Sequence, residues 1–430
     1  MVAVRITGGR VIDPAARLDA VVDIYITEGR IQALGLAPEG FRADRIVDAR
    51  GQIVCPGLVD LSARLREPGY EHKATIASET RAAASAGITT LCCPPDTQPV
   101  IDTPAVVELI HRRAEQAGWA RVVCLGALTQ GLKGEQLAEL FALKQIGCIG
   151  VSNALAPIAN TEIVRRAMEY AATCDLQVFL HPEDPWLSRT GQIHEGAVST
   201  QLGLPAAPEI TETIALARDL LLIEQTGVRA HFCRLSTARA VRMVAEAQAR
   251  GLPVSADVSV HQLHLTDKDV GCYNSLCHVC PPLRDQGDRE GLREGLAQGV
   301  IRAVCSDHQP HDRDAKIAPF SATEPGISAL ETLLPLTLKL VDEGTLGLHA
   351  ALAALTHQPA QILGIEAGSL KVGKPADICI FDPALSWTLT EDKLISRGKN
   401  TPFLGRQFKG KVMHTLLGGA LIYSFDMNSL

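Results

Sequence analysis

The middle of the chain repeats one pattern, in which a short apolar run is followed by a segment with helical periodicity. Apolar residues recur at three- and four-residue spacing in the segments 103–117, 161–172, 210–227 and 238–250, which predicts helices. The alternation of apolar runs and helices is typical of parallel strands joined by crossover helices. Eight such runs can be counted, at residues 57–61, 88–92, 122–125, 146–151, 177–181, 229–233, 254–258 and 301–306.

The two ends of the chain have a different pattern, of short β-rich runs separated by glycine-containing turns. Residues 2–50 contain such runs without a helical segment, and the last part of the chain resumes them at 376–381, 410–417 and 420–423. We expect an antiparallel sheet at the N-terminus and one small β-sandwich domain formed by both ends. The predicted fold is therefore α/β, a (β/α)₈ TIM barrel over residues 56–365 with a β-domain from residues 1–55 and 366–430.

Composition narrows the classes of function. Of the 430 residues, 46% are hydrophobic and 21% charged, which excludes a disordered chain. Aromatic residues make up 4% and the net charge is −7, so neither nucleic acid nor an anionic membrane is expected as a partner. No apolar stretch approaches the ~18 residues of a membrane span and no secretory leader is evident, so we expect a cytoplasmic location.

The twelve cysteines lie mostly in apolar runs, where a reduced thiol packs as a small hydrophobe. Cys277 and Cys280 have the Cys-x-x-Cys spacing that can serve metal or redox chemistry. No second pair of this kind lies nearby to complete a four-ligand site. We therefore predict neither role for this pair.

Two motifs stand where the predicted barrel would carry chemistry, at the carboxyl ends of the first and last strands. They read DLSARLREPG at residues 60–69 and DHQPH at residues 307–311. Both closely resemble the dihydroorotases among the cyclic amidohydrolases, in which Asp-x-His-x-His-x-Arg-x-Pro-Gly and Asp-His-x-Pro-His segments flank a metal site. The resemblance runs nearly end to end, with further matches at 95–99, 126–134, 181–184, 195–196, 281–284, 326–332 and 368–377.

The resemblance also implies that the metal site is degraded. Catalytic relatives bind zinc through a histidine pair after strand one, a bridging carboxylate after strand four and a histidine after strand six. Ser62 and Arg64 occupy the first pair of positions, Asn153 lies in the strand-four segment and Arg234 occupies the strand-six position. A serine hydroxyl is a poor zinc ligand and an arginine repels the metal. We predict that the zinc site is lost and that the chain has no cofactor.

Some family positions persist. His181 matches a metal-binding histidine, and Asp307 matches the metal ligand that also acts as proton-transfer base. Without a metal, the neighbouring water keeps a pKa near its bulk value, so Asp307 alone cannot replace the lost activation. Because buried charges need partners, we expect Asp307 to pair with Arg64 or Arg234 in a salt-bridged plug.

The positions that bind substrate in relatives are also mixed. Arg66 remains where relatives hold a substrate carboxylate, whereas Asp96 and Cys280 replace two asparagines of the family. Asp96 would repel that carboxylate. His308 and His311 flank Pro310, and we expect them to serve the structure of the turn.

The first functional hypothesis is a pseudoenzyme, because the fold pattern is kept while the metal ligands are lost. Non-catalytic dihydroorotase relatives are structural partners of aspartate carbamoyltransferase in pyrimidine synthesis. By this resemblance we expect the aspartate carbamoyltransferase catalytic chain as partner, with dimers of this chain in a dodecamer of six plus six chains.

Two alternatives remain open. One is an active zinc amidohydrolase with a rebuilt mononuclear site, its metal held by His181, Asp307 and one of Cys233, His308 or His278. The other is a small-molecule sensor that uses the vestigial pocket, with Arg66 as its anchor.

Overall fold

The computed structural model describes residues 2–189 and 191–426. Its N-terminal part is made of strands alone. Four of them form one sheet in the order β5-β4-β1-β6, and three join a second sheet. Their bounds are β1 Val4–Thr7, β2 Arg10–Asp13, β3 Leu18–Val21, β4 Ile24–Thr27, β5 Arg30–Leu34, β6 Arg45–Asp48 and β7 Ile53–Pro56.

The central part is a parallel eight-stranded barrel, as predicted. A further two-stranded pair, β13 with β14, lies outside it. Hydrogen bonds from Arg64 N to His308 O (2.9 Å) and from His308 N to Ser62 O (3.1 Å) close the barrel between its first and last strands. The strands are β8 Leu58–Asp60, β9 Ile88–Cys93, β10 Arg121–Ala127, β11 Gly150–Ser152, β12 Gln177–Leu180, β13 Ile193–His194, β14 Ala206–Ala207, β15 Ala230–Phe232, β16 Val254–Ser259 and β17 Ala303–Cys305.

Helices occupy the connections between the barrel strands, and the four helices predicted from periodicity are all present. They are α1 Ile76–Ser85, α2 Pro104–Ala117, α3 Leu140–Gln145, α4 Thr161–Thr173, α5 Pro185–Ser188, α6 Ala197–Leu202, α7 Ile210–Thr226, α8 Ala238–Ala249, α9 Gln286–Ala297, α10 Asp314–Ile317, α11 Leu330–Asp342, α12 Leu348–Leu355 and α13 His357–Leu363. No helix in the described ranges is long and apolar enough to cross a membrane.

Local sequence explains where several of these helices begin. The side chains of Thr75, Asn160, Thr237 and Asp285 each accept a hydrogen bond from a backbone N–H of the first turn. Such caps satisfy donors that have no partner within the helix. Glycines in the left-handed conformation end others, as Gly227 does after α7 (φ 68°).

The C-terminal part returns to the first domain. Strands β18 Ile378–Thr388, β19 Gln407–Leu417 and β20 Ala420–Ser424 complete a six-stranded sheet in the order β20-β19-β18-β7-β2-β3. Apolar residues of the two sheets face each other in one core, including Ile6 and Ile26 from the first and Val54 and Ile380 from the second. Both chain ends thus build one β-sandwich, while the boundaries at residues 55 and 365 stay predictions.

The expectation of an antiparallel N-terminal sheet was wrong in two pairings. Strand β1 pairs with β6 in parallel, and β2 pairs with β7 in parallel. The chain crosses from the first sheet to the second twice, between β1 and β2 and between β6 and β7, and these crossings run side by side. Gly9 allows the first crossing, since a Cβ there would lie 2.5 Å from Val54 Cγ2.

Strands β18 and β19 also form a wall shared with the barrel. Ile378 and Ile380 point into the sandwich core, whereas Cys379 and Phe381 belong to the large core that surrounds the barrel strands. The alternation of side chains along a strand produces this division. Thr415 Oγ1 donates to Ala84 O of α1 (2.7 Å), a further link between the two parts.

Candidate functional site

Four charged side chains meet at the carboxyl ends of the barrel strands, where relatives of this fold carry their chemistry. Arg64 Nε donates to Asp96 Oδ2 (2.6 Å), and Arg64 Nη1 donates to Asp307 Oδ1 (3.3 Å). Arg234 Nε lies 3.6 Å from the same Asp307 oxygen. We call Arg64, Arg234, Asp96 and Asp307 the charge plug. Asp307 is thus paired with both arginines, where the sequence predicted at least one.

Three of the four side chains of the plug are almost closed to solvent, whereas Asp96 is 25% exposed. The side chains of Arg64, Arg234 and Asp307 are 4%, 5% and 1% exposed. Burial alone would lower the pKa of Arg234, but Asp307 outweighs burial and holds this pKa above its ordinary value. Burial likewise opposes ionisation of Asp96, yet the Arg64 cation keeps the pKa of Asp96 below its ordinary value. Two cations and two carboxylates therefore neutralise each other.

The backbone at the strand ends places these charges. Arg234 and Asp307 both have left-handed conformations, with φ of 56° and 46°. Arg234 N donates to the buried Asp257 Oδ1 (2.6 Å), which holds this turn. Because the turn interrupts the alternation of the strand, Arg234 lies at the barrel mouth while His231 lies below it.

His231 is a fully buried histidine with two hydrogen-bond partners. Its Nδ1 lies 2.8 Å from Ser255 Oγ and its Nε2 lies 2.9 Å from Asp257 Oδ2. Both ring nitrogens are thereby used, so this side chain serves the interior of the barrel.

Ser62 and Asp60 connect the plug to the strand beneath it. Ser62 Oγ lies 3.4 Å from Asp307 Oδ1 and accepts a hydrogen bond from Arg234 Nη1 (3.3 Å). Asp60 accepts hydrogen bonds from Ser306 N (2.9 Å), from the Ser306 hydroxyl and from Ser62 N. Burial raises the pKa of Asp60 to about 7.

The side chain of Asn153 is fully hydrogen-bonded to the loops that surround it. Its Oδ1 accepts from Thr129 Oγ1 (2.7 Å), and its Nδ2 donates to the carbonyls of Leu132 (3.2 Å) and Ala156 (2.8 Å). These bonds join the connection after β11 to the connection after β10.

Arg66 does not stand free as an anchor for a substrate. Its Nε donates to Pro310 O (3.0 Å), and its Nη2 lies 3.0 Å from His311 Nε2. Burial and the nearby Arg64 cation lower the pKa of Arg66 to about 10. Burial and Arg66 lower the pKa of His311 to about 2, so this ring is neutral at pH 7. The guanidinium therefore fastens the strand-one loop to the strand-eight loop.

His308 is likewise structural, as expected. Its Nε2 donates to Glu79 Oε2 (2.7 Å) and its Nδ1 accepts from Ala329 N (3.0 Å). Glu79 also accepts from Ser396 Oγ (2.6 Å) and Arg397 N (3.1 Å). The histidine thus links the barrel mouth to the segment that precedes β19.

His181 lies apart from the plug, beside two other side chains with metal-ligating atoms. Its Nε2 is 3.2 Å from Glu183 Oε2 and 4.0 Å from Cys280 Sγ, and Cys280 Sγ is 4.0 Å from Glu183 Oε2. Burial opposes ionisation of Glu183, but His181 keeps the pKa of Glu183 below its ordinary value.

The family position does not fit zinc. The retained carboxylate, Asp307, directs one oxygen at two guanidinium groups and accepts from Gln309 Nε2 (3.2 Å) with the other. Across residues 2–189 and 191–426, two groups of three metal-ligating side chains occur, and neither contains Asp307. They are His181 with Glu183 and Cys280, and His231 with Cys233 and Asp257.

The ligand set of the rebuilt mononuclear site is therefore not assembled. Cys233 groups with His231, His308 is bonded through both nitrogens, and His278 Nδ1 lies 2.8 Å from Thr323 Oγ1. Cys277 and Cys280 also occupy different surroundings, since Asn274 Nδ2 lies 3.4 Å from Cys277 Sγ.

The sequence did not reveal the contacts that three residues make at the site. Asp96 is the closest partner of Arg64 rather than only a source of repulsion, Glu183 neighbours His181, and Glu79 holds His308. The two-residue spacing of His181 and Glu183 was a signal for the second, whereas the other two pairings join side chains of different elements.

Comparisons with known proteins agree with this architecture. Residues 51–240 match the family described as Dihydro-orotase-like, and residues 327–423 match the family described as Amidohydrolase family. A "Dihydroorotase-like protein" of Pseudomonas aeruginosa is 53% identical over 98% of this chain and 99% of its own length. A protein named "Dihydroorotase" from Trichlorobacter lovleyi is 41% identical over 97% and 99%.

Among solved structures, the L-hydantoinase from Arthrobacter aurescens superposes with a TM-score of 0.88 at 22% identity, covering 99% of this chain and 96% of that one. The D-hydantoinase from Thermus sp. has a TM-score of 0.85 at 23% identity, covering 97% and 94%. At these identities the likeness shows the fold alone.

Proposed function

Because this chain belongs to the dihydroorotase-like family of amidohydrolases, we propose that it is a non-catalytic member of that family. Its proposed role is that of a structural subunit required to assemble aspartate carbamoyltransferase in pyrimidine biosynthesis, in the cytoplasm. The observation that carries the loss of catalysis is the charge plug. Hydrolysis of a cyclic amide at neutral pH needs an activated water, and the plug occupies the place of that activation.

Asp307 is not free to act as a general base. A general base must have a free oxygen within hydrogen-bond reach of the proton that it accepts. Asp307 Oδ1 is engaged by Arg64 and Arg234, and Oδ2 by Gln309. Protonating Asp307 would also leave buried arginine charge uncompensated, which is costly. This carboxylate therefore serves as a counter-ion.

Two features support a role in assembly: the family resemblance and the retained fold. The barrel is closed and its core is filled, although most of the positions that bind metal in relatives are replaced. Retention of a fold without its chemistry favours an interface role. Following the non-catalytic relatives, we propose the aspartate carbamoyltransferase catalytic chain as partner. The proposed complex has six chains of each kind, with this chain forming dimers.

The test uses the chain and the transcarbamoylase of the same organism, purified separately and mixed in equal amounts. The mass of the complex is measured by light scattering after size exclusion, and carbamoyl transfer is assayed in each sample. We expect a larger species than either protein alone, and transcarbamoylase activity that depends on it. Identical assembly and activity without this chain would overturn the proposal.

A second assay measures dihydroorotate hydrolysis by the purified chain before and after incubation with zinc. We expect no turnover in either state. Hydrolysis that disappears in an Asp307→Asn variant would instead establish the zinc amidohydrolase alternative.

A further inference from the structure

We propose that His181, Glu183 and Cys280 form a mononuclear site for a thiophilic divalent cation such as Zn²⁺, separate from the charge plug. The inference does not depend on the proposed assembly role. It shares His181 with the metal-binding positions of the family, but its other two ligands, Glu183 and Cys280, lie outside those positions and Asp307 is not part of it.

The distances suit a tetrahedral ion. Zinc bonds of about 2.0 Å to nitrogen and oxygen and about 2.3 Å to sulfur place ligand atoms roughly 3.3–3.6 Å apart. The three separations here are 3.2 Å between His181 Nε2 and Glu183 Oε2, and 4.0 Å from Cys280 Sγ to each of them. Small rotations of the Cys280 side chain would bring all three atoms to bonding distance of one ion.

The chemistry of the donors selects the cation. A thiolate, an imidazole and a carboxylate together match zinc and its neighbours in the first transition row, whereas Mg²⁺ and Ca²⁺ prefer oxygen ligands alone. The ligands provide two negative charges once the thiol is ionised. The nearby plug is balanced between two arginines and two aspartates, so its net charge does not repel the ion.

The His181 side chain is held in a buried position, and one of its ring nitrogens has no hydrogen-bond partner among the described residues. His181 is 5% exposed, and this nitrogen is its Nδ1. Nε2 is the nitrogen that faces the other two ligands. It lies 3.2 Å from the Glu183 carboxylate, so a bound ion would take the place of the Nε2 proton in this contact.

The group also has access and an open coordination position. The three residues line a cavity of about 200 Å³, together with His278 and Arg284. Three protein ligands with an open fourth position are typical of zinc sites that bind an exogenous molecule.

The second group of metal-ligating residues gives a useful contrast. His231 uses both ring nitrogens, and Asp257 bonds both His231 and Arg234 N. Its side chains are fully buried. This group therefore satisfies itself and is not proposed as a metal site.

The experiment measures metal content and coordination directly. The purified chain is stripped with a chelator and reloaded with Zn²⁺ or Co²⁺, and unbound ion is removed. We expect about one zinc per chain by mass spectrometry of the metal. The cobalt form should show a thiolate-to-cobalt band in the near ultraviolet and tetrahedral d–d bands in the visible.

Variants assign the ligands. Cys280→Ser should remove the thiolate band, and both Cys280→Ser and Glu183→Gln should reduce bound zinc to a small fraction of a full equivalent. Cys272→Ser, at an exposed cysteine, should leave the zinc content unchanged. Circular dichroism and thermal melting of the metal-free proteins show whether each variant is folded.

The proposal is overturned if the wild-type chain retains no zinc, or if folded Cys280→Ser and Glu183→Gln proteins still bind a full equivalent. Metal content is independent of the assembly and turnover assays, so this inference and the proposed function can fail separately.

Discussion

The residues at the barrel mouth show how a catalytic position becomes a structural one. Arg64 bridges Asp96 and Asp307, which come from the ends of different strands. Each of these charges is tolerable in the interior only because the others are present. A single substitution in the plug therefore leaves an unpaired buried charge.

Arg64→Met should lower the free energy of unfolding by about 3–5 kcal/mol, since breaking a buried ion pair costs more than the pair contributes. Urea denaturation followed by circular dichroism measures the change. Arg50→Met is the matched control, because Arg50 pairs with Asp48 on the surface and is 80% exposed. This variant should be almost as stable as the wild type. Equal stability of both variants would show that the plug carries no strong coupling.

Asp60 gives a prediction for pH. Burial raises the pKa of Asp60 from 3.8 to about 7, so between these values the folded chain holds a proton that the unfolded chain has released. The contribution of Asp60 to the free energy of unfolding is therefore fully present at low pH. It decreases as pH rises through this window, by up to about 1.4 kcal/mol per pH unit.

Asp60→Asn should flatten this dependence, because the amide keeps an acceptor for Ser306 N and cannot ionise. Unfolding free energies measured from pH 4 to 7 for the wild type and the variant test this. Glu39→Gln, which removes an exposed carboxylate, is the control and should retain the wild-type slope. An unchanged slope in Asp60→Asn would assign the pH dependence to other groups.

Restoring the strand-one histidines should not restore catalysis. In a Ser62→His, Arg64→His variant, Arg234 would still lie beside Asp307, and Asn153 would still be bonded to the connections after β10 and β11. Dihydroorotate hydrolysis by the zinc-loaded variant should remain at the background of the buffer. Measurable turnover would mean that the strand-four and strand-six changes matter less than their geometry indicates.

The sequence predicted that Asp307 pairs with an arginine, because arginines replace two ligands at positions that the family resemblance had located and the aspartate is retained. It could not assign Asp96 to Arg64, because that contact depends on where two loops meet after the barrel closes. The same reason hid Glu79, which lies on α1 and contacts His308 more than two hundred residues later.

At the scale of elements, helices α1 and α11 hold the segment between β18 and β19 through two carboxylates, of which Glu79 is fully buried. Glu79 on α1 accepts from Ser396 Oγ and Arg397 N, and Glu331 on α11 accepts from Ile395 N (2.8 Å) and Ser396 N (3.0 Å). The segment thus lies over the barrel mouth because it is bonded to two helices.

Glu79→Gln should loosen this segment, because the amide group adds donors where His308, Ser396 and Arg397 already donate. Hydrogen exchange should accelerate in peptides that span residues 391–401 and remain unchanged in the strands β9 and β10. Glu139→Gln, at the exposed start of α3, is the control and should leave the pattern unchanged. Acceleration spread over the whole barrel would indicate global destabilisation instead of local release.

The positions of the barrel strands were predicted well from the sequence, whereas one strand start and the strand directions in the sandwich were not. Apolar runs located the barrel strands because strands covered on both faces are apolar throughout. The run at 146–151 began too early, since Gly147 makes a turn after α3 (φ 105°) and β11 starts at Gly150. Strand direction in the sandwich was missed because alternation identifies a strand without identifying its partner.

At the scale of the whole molecule, the sheet that contains β18 and β19 joins the two parts of the chain. One of its faces closes the sandwich core and the other packs on the barrel. Because this one sheet contributes side chains to both cores, the stability of each core depends on the other.

We expect a single cooperative unfolding transition. Differential scanning calorimetry and two spectroscopic probes, one sensitive to helix and one to the tryptophans, should give coincident midpoints. Phe381→Ala, on the barrel side of β18, should lower that one midpoint without splitting the transition. Two resolved transitions in the wild type would show that the sandwich and barrel unfold independently.

The pairing of β7 with β18 also has a consequence for synthesis on the ribosome. Val54 lies opposite Ile380 in the finished sheet, so more than three hundred residues must be translated before this neighbour exists. At ~5–20 residues per second this interval lasts roughly 15–65 s. Throughout it, the first strands of the nascent chain expose apolar surface that only the end of the chain can cover, which makes them a natural target for chaperones that bind during translation.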